Sequence, residues 1–238
     1  MTMSRPAAVI VLAAGEGTRM KSAIPKVLHT IGGRSLLGHA IAAARGVDPE
    51  NLAIVVRHGR DLVAAHIAEV DADAIIADQD DIKGTGRATE CALDALPAHL
   101  EGTVLVTYGD VPLLAAATLR GLLEAHAASG SAATVITATL ADPTGYGRIL
   151  RDPDGSVAAI VEQKDATEAQ RAITEINTGL YAVAAPWLRQ ALAALPEHPD
   201  GEYYLTDLVA MAAEAGTLSV LAGGDADELM GINDQDES

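Results

Sequence analysis

Residues 9–26 read VIVLAAGEGTRMKSAIPK, and the fold is decided there. Val9, Ile10, Val11 and Leu12 form an unbroken apolar run too short for a helix, and such a run lies in a sheet covered on both faces. The chain then opens into a loop with Gly15 and Gly17, residues that take positive φ and let backbone N–H groups approach a ligand. Arg19 and Lys26 add fixed positive charge to the same loop. A glycine pair after a strand can be an ordinary turn, but the two cations make this stretch read as a phosphate cradle at the sheet's carboxyl edge.

Two familiar phosphate loops differ from it in spacing. A dinucleotide fingerprint requires a third small residue where Met20 stands and an acid about 20 residues on. A P-loop requires lysine and then Ser or Thr directly after its last glycine, whereas Gly17 precedes Thr18 and Arg19.

Outward from this loop, apolar periods alternate between strand and helix. Strands are expected over 52–56, 74–77 and 103–107, with helices over 35–45, 60–69 and 85–96, the alternation of a parallel sheet covered by helices. From residue 134 the chain becomes richer in β pattern, over 134–140, 148–151, 157–161 and 177–183, which introduces mixed strands. Later helices are expected over 187–195 and 204–215 and a short strand over 218–221. The fold class is therefore α/β, one domain over 1–238, with halves over about 7–112 and 113–233 of which the second carries the mixed strands.

The 238 residues are 49% hydrophobic, enough for a substantial core. A formal net charge of −17 disfavours nucleic acid and acidic membrane surfaces as partners, and makes an anionic substrate depend on local positive charge or a metal. No apolar run approaches the roughly 18 residues of a membrane span and no signal-type segment opens the chain, so a cytoplasmic location is expected. Cys91 is the single cysteine, read as an inert thiol. The seven histidines form no zinc pattern, and no Gly-x-Ser-x-Gly elbow supports a hydrolase.

Several polar motifs carry candidate chemistry. TYGDVPL (107–113) places Asp110 at the carboxyl end of a strand, where it can ligate Mg²⁺ with substrate phosphates or simply form a turn before Pro112. QDDIKGTG (79–86) supplies Gln79, whose amide can pair with a nucleobase edge, although a surface loop with Thr85 capping a helix is the plainer reading. GYGRI (145–149), IVEQKDA (160–166) and EINTGLY (175–181) add Gly147, Glu162 and Asn177, candidates for a sugar pocket or turn and strand ends. GEYYLTDL (201–208) places Thr206 near a helix start.

In this order, the opening loop, these motifs and GIND (231–234) resemble the uridylyltransferase domain of the bacterial bifunctional N-acetylglucosamine-1-phosphate uridylyltransferase/glucosamine-1-phosphate acetyltransferase family, over about residues 8–233. The resemblance implies a Rossmann-like nucleotidyltransferase fold. It also implies Mg²⁺-dependent transfer of UMP from UTP to N-acetylglucosamine 1-phosphate, giving UDP-N-acetylglucosamine for cell-wall precursor synthesis, and pyrophosphate. By matching positions, the backbone of Leu12, Ala14, Gly15 and Gly17 would meet the nucleotide, Gln79, Gly84 and Thr85 would read uracil, and Arg19 and Lys26 would contact phosphates. Asp110 and Asn233 would ligate Mg²⁺, and Tyr108, Gly109, Gly147, Glu162, Asn177 and Thr206 would line the sugar pocket. Arg87 stands where the family usually has histidine, and no hexapeptide repeats of an acetyltransferase β-helix occur. No acetyltransferase activity and a monomeric state are expected. A sister enzyme with another sugar phosphate or nucleotide, and a catalytically silent sugar-nucleotide-binding module, are the competing readings.

Overall fold

The computed structural model describes residues 5–15, 24–111 and 114–223. The chain runs through β1 (Ala8–Leu12), a short hairpin of β2 (Thr30–Ile31) and β3 (Arg34–Ser35), α1 (Leu36–Arg45), β4 (Leu52–Val56), α2 (Arg60–Val70), β5 (Ile75–Asp78), α3 (Thr85–Ala95) and β6 (Thr103–Tyr108). It continues with α4 (Ala116–Ser129), β7 (Ala133–Thr139), β8 (Arg148–Arg151), β9 (Val157–Val161), α5 (Glu168–Arg171), β10 (Glu175–Ala184), α6 (Ala185–Ala193), α7 (Asp207–Glu214) and β11 (Leu218–Ala222).

Seven strands form the central path of one sheet in the order β11-β7-β10-β6-β1-β4-β5, and β8 and β9 extend it from β10. Neighbours β6, β1, β4 and β5 are parallel, as are β7 and β11. Only β10 runs against the others along that path, pairing antiparallel with both β6 and β7. This is the α/β fold with a mostly parallel sheet that the apolar runs predict, and the mixed strands fall after residue 134 as expected. Because β1 and β4 are buried at every residue, both faces need cover. One core packs the residues of α3, α6 and α7 under Ile10, Val55 and Val106; the other packs α1, α2 and α4 under Val9, Val11 and Leu105.

Element boundaries shift where side chains cap. The helix expected from residue 35 starts at Leu36 because Ser35 is its N-cap, its Oγ accepting from the Gly38 N–H at 2.9 Å. The helix expected over 204–215 forms only over α7, and that expected over 187–195 begins earlier, at Ala185, with proline in its first turn. The longest helix among the described residues, α4, was not anticipated. Its N-cap position is Ala115, which offers no side-chain cap, so no start signal marks it. Its buried face, Leu119, Leu122, Leu123 and His126, nevertheless has helical spacing.

Candidate nucleotide-binding site

The carboxyl ends of β6, β1, β4 and β5 open onto a cavity of about 420 Å³, the edge where open α/β sheets bind ligands. Its floor is the turn after β1, Leu12 to Gly15, and Lys26, Asp110 and Tyr108 stand on one side. On the other side are Gln79, Gly84 and Thr85, in the loop that joins β5 to α3. Of the residues singled out in the sequence, Leu12, Ala14, Gly15, Lys26, Gln79, Gly84, Thr85, Tyr108 and Asp110 share this cavity. Gly17, Arg19 and Asn233 lie outside the described residues.

Lys26 Nζ donates to Asp110 Oδ2 at 3.3 Å across 84 residues of sequence. The two enter from different elements, Lys26 from the 3₁₀ turn Lys26–Leu28 and Asp110 from the turn after β6. The Lys26 side chain is 11% exposed and that of Asp110 32%, so the pair is only partly shielded and either member can exchange its partner for a ligand.

The loop after β5 is fixed from two directions. Both amide hydrogens of Gln79 are spent within it, donated to Ile82 O at 3.0 Å and Gly84 O at 3.1 Å. The carboxamide orientation is set by these two carbonyls, which only an NH₂ group can satisfy, so Gln79 Oε1 is the atom left to meet a ligand. The segment at 203–205 then staples the loop: Tyr203 N–H donates to Lys83 O, Gly86 N–H to Tyr203 O and Leu205 N–H to Thr85 Oγ1. Gly84, at φ +109°, sits against this staple, where a Cβ would come within 2.1 Å of Tyr203 O. Thr85 is the first helical residue rather than the cap, which is Gly84. Arg87 does not line the cavity. Its guanidinium forks onto the carboxylates of Asp80 and Glu90, bracing the same loop from outside.

The sugar-pocket candidates gather beside this cavity. A Cβ on Gly147 would lie 3.7 Å from both Asn177 Cβ and Glu162 Oε2, so β8, β9 and β10 bring the three together. Thr206 Oγ1 donates to Glu162 Oε1 at 2.9 Å, and burial pushes the Glu162 carboxyl up against the lowering effect of that bond, with nearby Asp165 and Asp207 adding to the rise. Asn177 sits at a β-bulge; its Nδ2 donates to Tyr181 Oη and its Oδ1 accepts from Gly179 N–H, both at 3.0 Å. One amide hydrogen remains. Tyr108 joins the two regions: burial raises its phenol, and the carboxylates of Glu162 and Asp110 on either hand raise it further. Gly109 faces Ala13, Leu37 and Val27, and its N–H donates to Leu12 O at 2.9 Å, so it packs beneath the cradle rather than lining the cavity.

Three polar lining residues escaped the sequence reading: Arg57, Lys83 and Glu202. Arg57 is the first residue beyond β4, so the carboxyl-edge rule that singled out Asp110 would also have found it. Among the described residues no group of three or more His, Cys, Asp or Glu converges as a metal site. Asp110 nevertheless supplies one hard carboxylate at the cavity wall. That donor set suits Mg²⁺, which commonly takes one or two carboxylates and completes its shell with phosphates and water. No described helix is long and apolar enough to cross a membrane.

A mostly parallel sheet whose carboxyl edge gathers the turn after β1, the Lys26–Asp110 pair and the Gln79–Thr85 segment around one cavity is the architecture of a nucleotidyltransferase domain. The chain belongs to the MobA-like NTP transferase domain family, whose match covers residues 9–205. It is 58% identical over 232 residues to the bifunctional protein GlmU of Kineococcus radiotolerans, covering 97% of this chain and 47% of that protein. It is 55% identical to GlmU of Pseudarthrobacter chlorophenolicus over 97% of the chain and 48% of the relative, and 51% identical to GlmU of Streptomyces coelicolor over 99% and 49%. The chain thus spans about half the length of the curated relatives it matches, and the family resemblance read from its motifs is borne out.

Proposed function

We propose that this chain is a Mg²⁺-dependent uridylyltransferase that moves UMP from UTP to N-acetyl-α-D-glucosamine 1-phosphate, releasing pyrophosphate and yielding UDP-N-acetylglucosamine for cell-wall precursor synthesis. The observation that carries this reading is the single cavity in which the turn after β1, the Lys26–Asp110 pair and the Gln79–Thr85 loop meet, with the Gly147, Glu162 and Asn177 cluster adjoining it. Similarity to proteins named GlmU across nearly the whole chain supports it.

The sugar phosphate oxygen would attack the α-phosphorus of UTP in line and displace pyrophosphate, so the protein has to position two anions rather than form a covalent intermediate. Lys26 would shift its ammonium from Asp110 toward phosphate oxygens as the nucleotide enters, and Arg19 would add a second cation. Asp110, with Asn233 and the phosphates, would hold Mg²⁺, which when bound neutralises charge on the triphosphate. Gln79 Oε1 would accept from the imide N–H of uracil. Glu162, oriented by Thr206, would accept from a sugar hydroxyl, and the remaining Asn177 amide hydrogen would donate to the sugar.

The test is pyrophosphate release with UTP and Mg²⁺, comparing N-acetylglucosamine 1-phosphate, glucose 1-phosphate and glucosamine 1-phosphate, with and without chelator. Chelator-sensitive release strongest with the N-acetylated sugar is expected. Preference for another sugar would reassign the acceptor, and no release with any pair would refute the catalytic reading.

A further inference from the structure

Arg57 is a cation in the cavity that the functional reading leaves without a task. It is half-buried and lines the cavity together with Gln79. Among the described residues its guanidinium has no hydrogen-bond or ion-pair partner, unlike Arg45, Arg60, Arg87, Arg148 and Arg151, each held by carboxylates or carbonyls. In a chain of net charge −17, an arginine left unpaired in a cavity points to a ligand as its partner.

Its position specifies which part of the ligand. The parallel strands β4 and β5 are in register at Val56 and Asp78, and Gln79 N–H donates to Val56 O at 3.0 Å. Arg57 and Gln79 are therefore the neighbouring first residues beyond two paired strands. Gln79 presents an acceptor only, because both its amide hydrogens are used in the loop. Arg57 presents donors only. A ligand edge that satisfies both must carry an N–H beside a C=O. Uracil has this edge at N3 and C4. Cytosine has the reverse, an acceptor nitrogen beside an amino group, which would set acceptor against acceptor and donor against donor.

Resting on the uridylyl-transfer reading, we infer that Arg57 is a specificity-determining residue that donates to the C4 carbonyl of the base beside the Gln79–imide contact, so that the enzyme rejects amino-bearing pyrimidines. Lys83 lines the same cavity but is exposed at its mouth, and a flexible ammonium there contributes charge without fixed geometry.

The experiment compares kcat/KM for UTP and CTP, with Mg²⁺ and N-acetylglucosamine 1-phosphate, in the wild-type chain, Arg57→Gln and Lys83→Ala, each checked for folding by a thermal melt. A neutral amide at 57 can accept from an amino group as well as donate, so Arg57→Gln should lower the UTP/CTP ratio by about tenfold or more, the scale of a charge-assisted hydrogen bond. Lys83→Ala should lower both nucleotides alike and leave the ratio within about twofold. If Arg57→Gln weakens UTP and CTP equally, Arg57 serves the phosphates and the inference fails; if neither changes, it contacts no ligand and the inference also fails. Wild-type inactivity with UTP would instead overturn the uridylyl-transfer reading itself, an outcome visible before any variant is made.

Discussion

Lys26 and Asp110 partner each other at 3.3 Å in a cavity suited to phosphate, so each holds the other's geometry until a ligand replaces it. Removing either group takes away one preorganised electrostatic partner at the site of reaction. Lys26→Ala or Asp110→Ala should each lower turnover by at least about 100-fold, measured as pyrophosphate release at saturating substrates; near-normal turnover in a folded variant would remove that residue from the mechanism. Glu162 offers a test of a different kind. Its carboxyl is raised mainly by burial, so the folded chain binds its proton more tightly than the unfolded chain does. The stabilising effect of that proton is fully present below the unfolded value and is lost as pH rises through the folded one, above which a partly buried charge remains. Glu162→Gln keeps the acceptor for Thr206 without the charge. It should raise Tm at pH 8, with the difference fading toward pH 4, while raising KM for the sugar phosphate; an unchanged pH dependence of Tm would contradict the buried-charge account.

Among the elements, β10 concentrates the constraints. Gly179 at φ +83° lies at its irregularity, where a Cβ would come within 2.4 Å of the Tyr108 ring. Gly179→Ala combines an unfavourable backbone conformation with a clash in a packed region, so it should cost on the order of 1–3 kcal/mol. A calorimetric melt within a degree of wild type would show that Tyr108 can move aside. The β8 end is pinned differently. Arg148 is 1% exposed, and its guanidinium donates to the carbonyls of Ile173 and Arg171 at 3.2 Å and to that of Tyr146, tying the turn before Gly147 to the segment that leads into β10. Arg148→Lys cannot reach three separated carbonyls with one ammonium, so both Tm and affinity for the sugar phosphate should fall. These ties explain what could be read without the structure. The strands β1, β4 and β6 were legible because continuous apolar runs have no other stable placement, Asp110 followed from standing just beyond β6, and Gln79 from its amide in a polar loop. Helix α4 was not, since it lacks a cap, and the spent donors of Gln79 depend on the local path of Ile82 and Gly84. The resemblance grouped Glu162 with Thr206, but the bond between them across 44 residues depends on α7 returning beside β9.

The molecule as a whole carries −17 charges around a site built to receive anions, and self-repulsion of this size opposes the compact state. Raising NaCl from about 10 mM to 150 mM shortens the screening length from about 30 Å to about 8 Å and should raise Tm; a flat or falling Tm would mean that its surface ion pairs outweigh the repulsion. The sheet order has a further consequence during synthesis. β6 is complete by residue 108, yet the neighbour on its open side is β10, which ends only at residue 184. Until those later residues leave the ribosome, the nascent first half presents an unpaired, apolar strand edge, the kind of edge that templates association with other chains. β10 thus closes the edge that β6 leaves open, and a chain halted shortly after residue 112 would be prone to aggregate rather than persist as a free, folded first half.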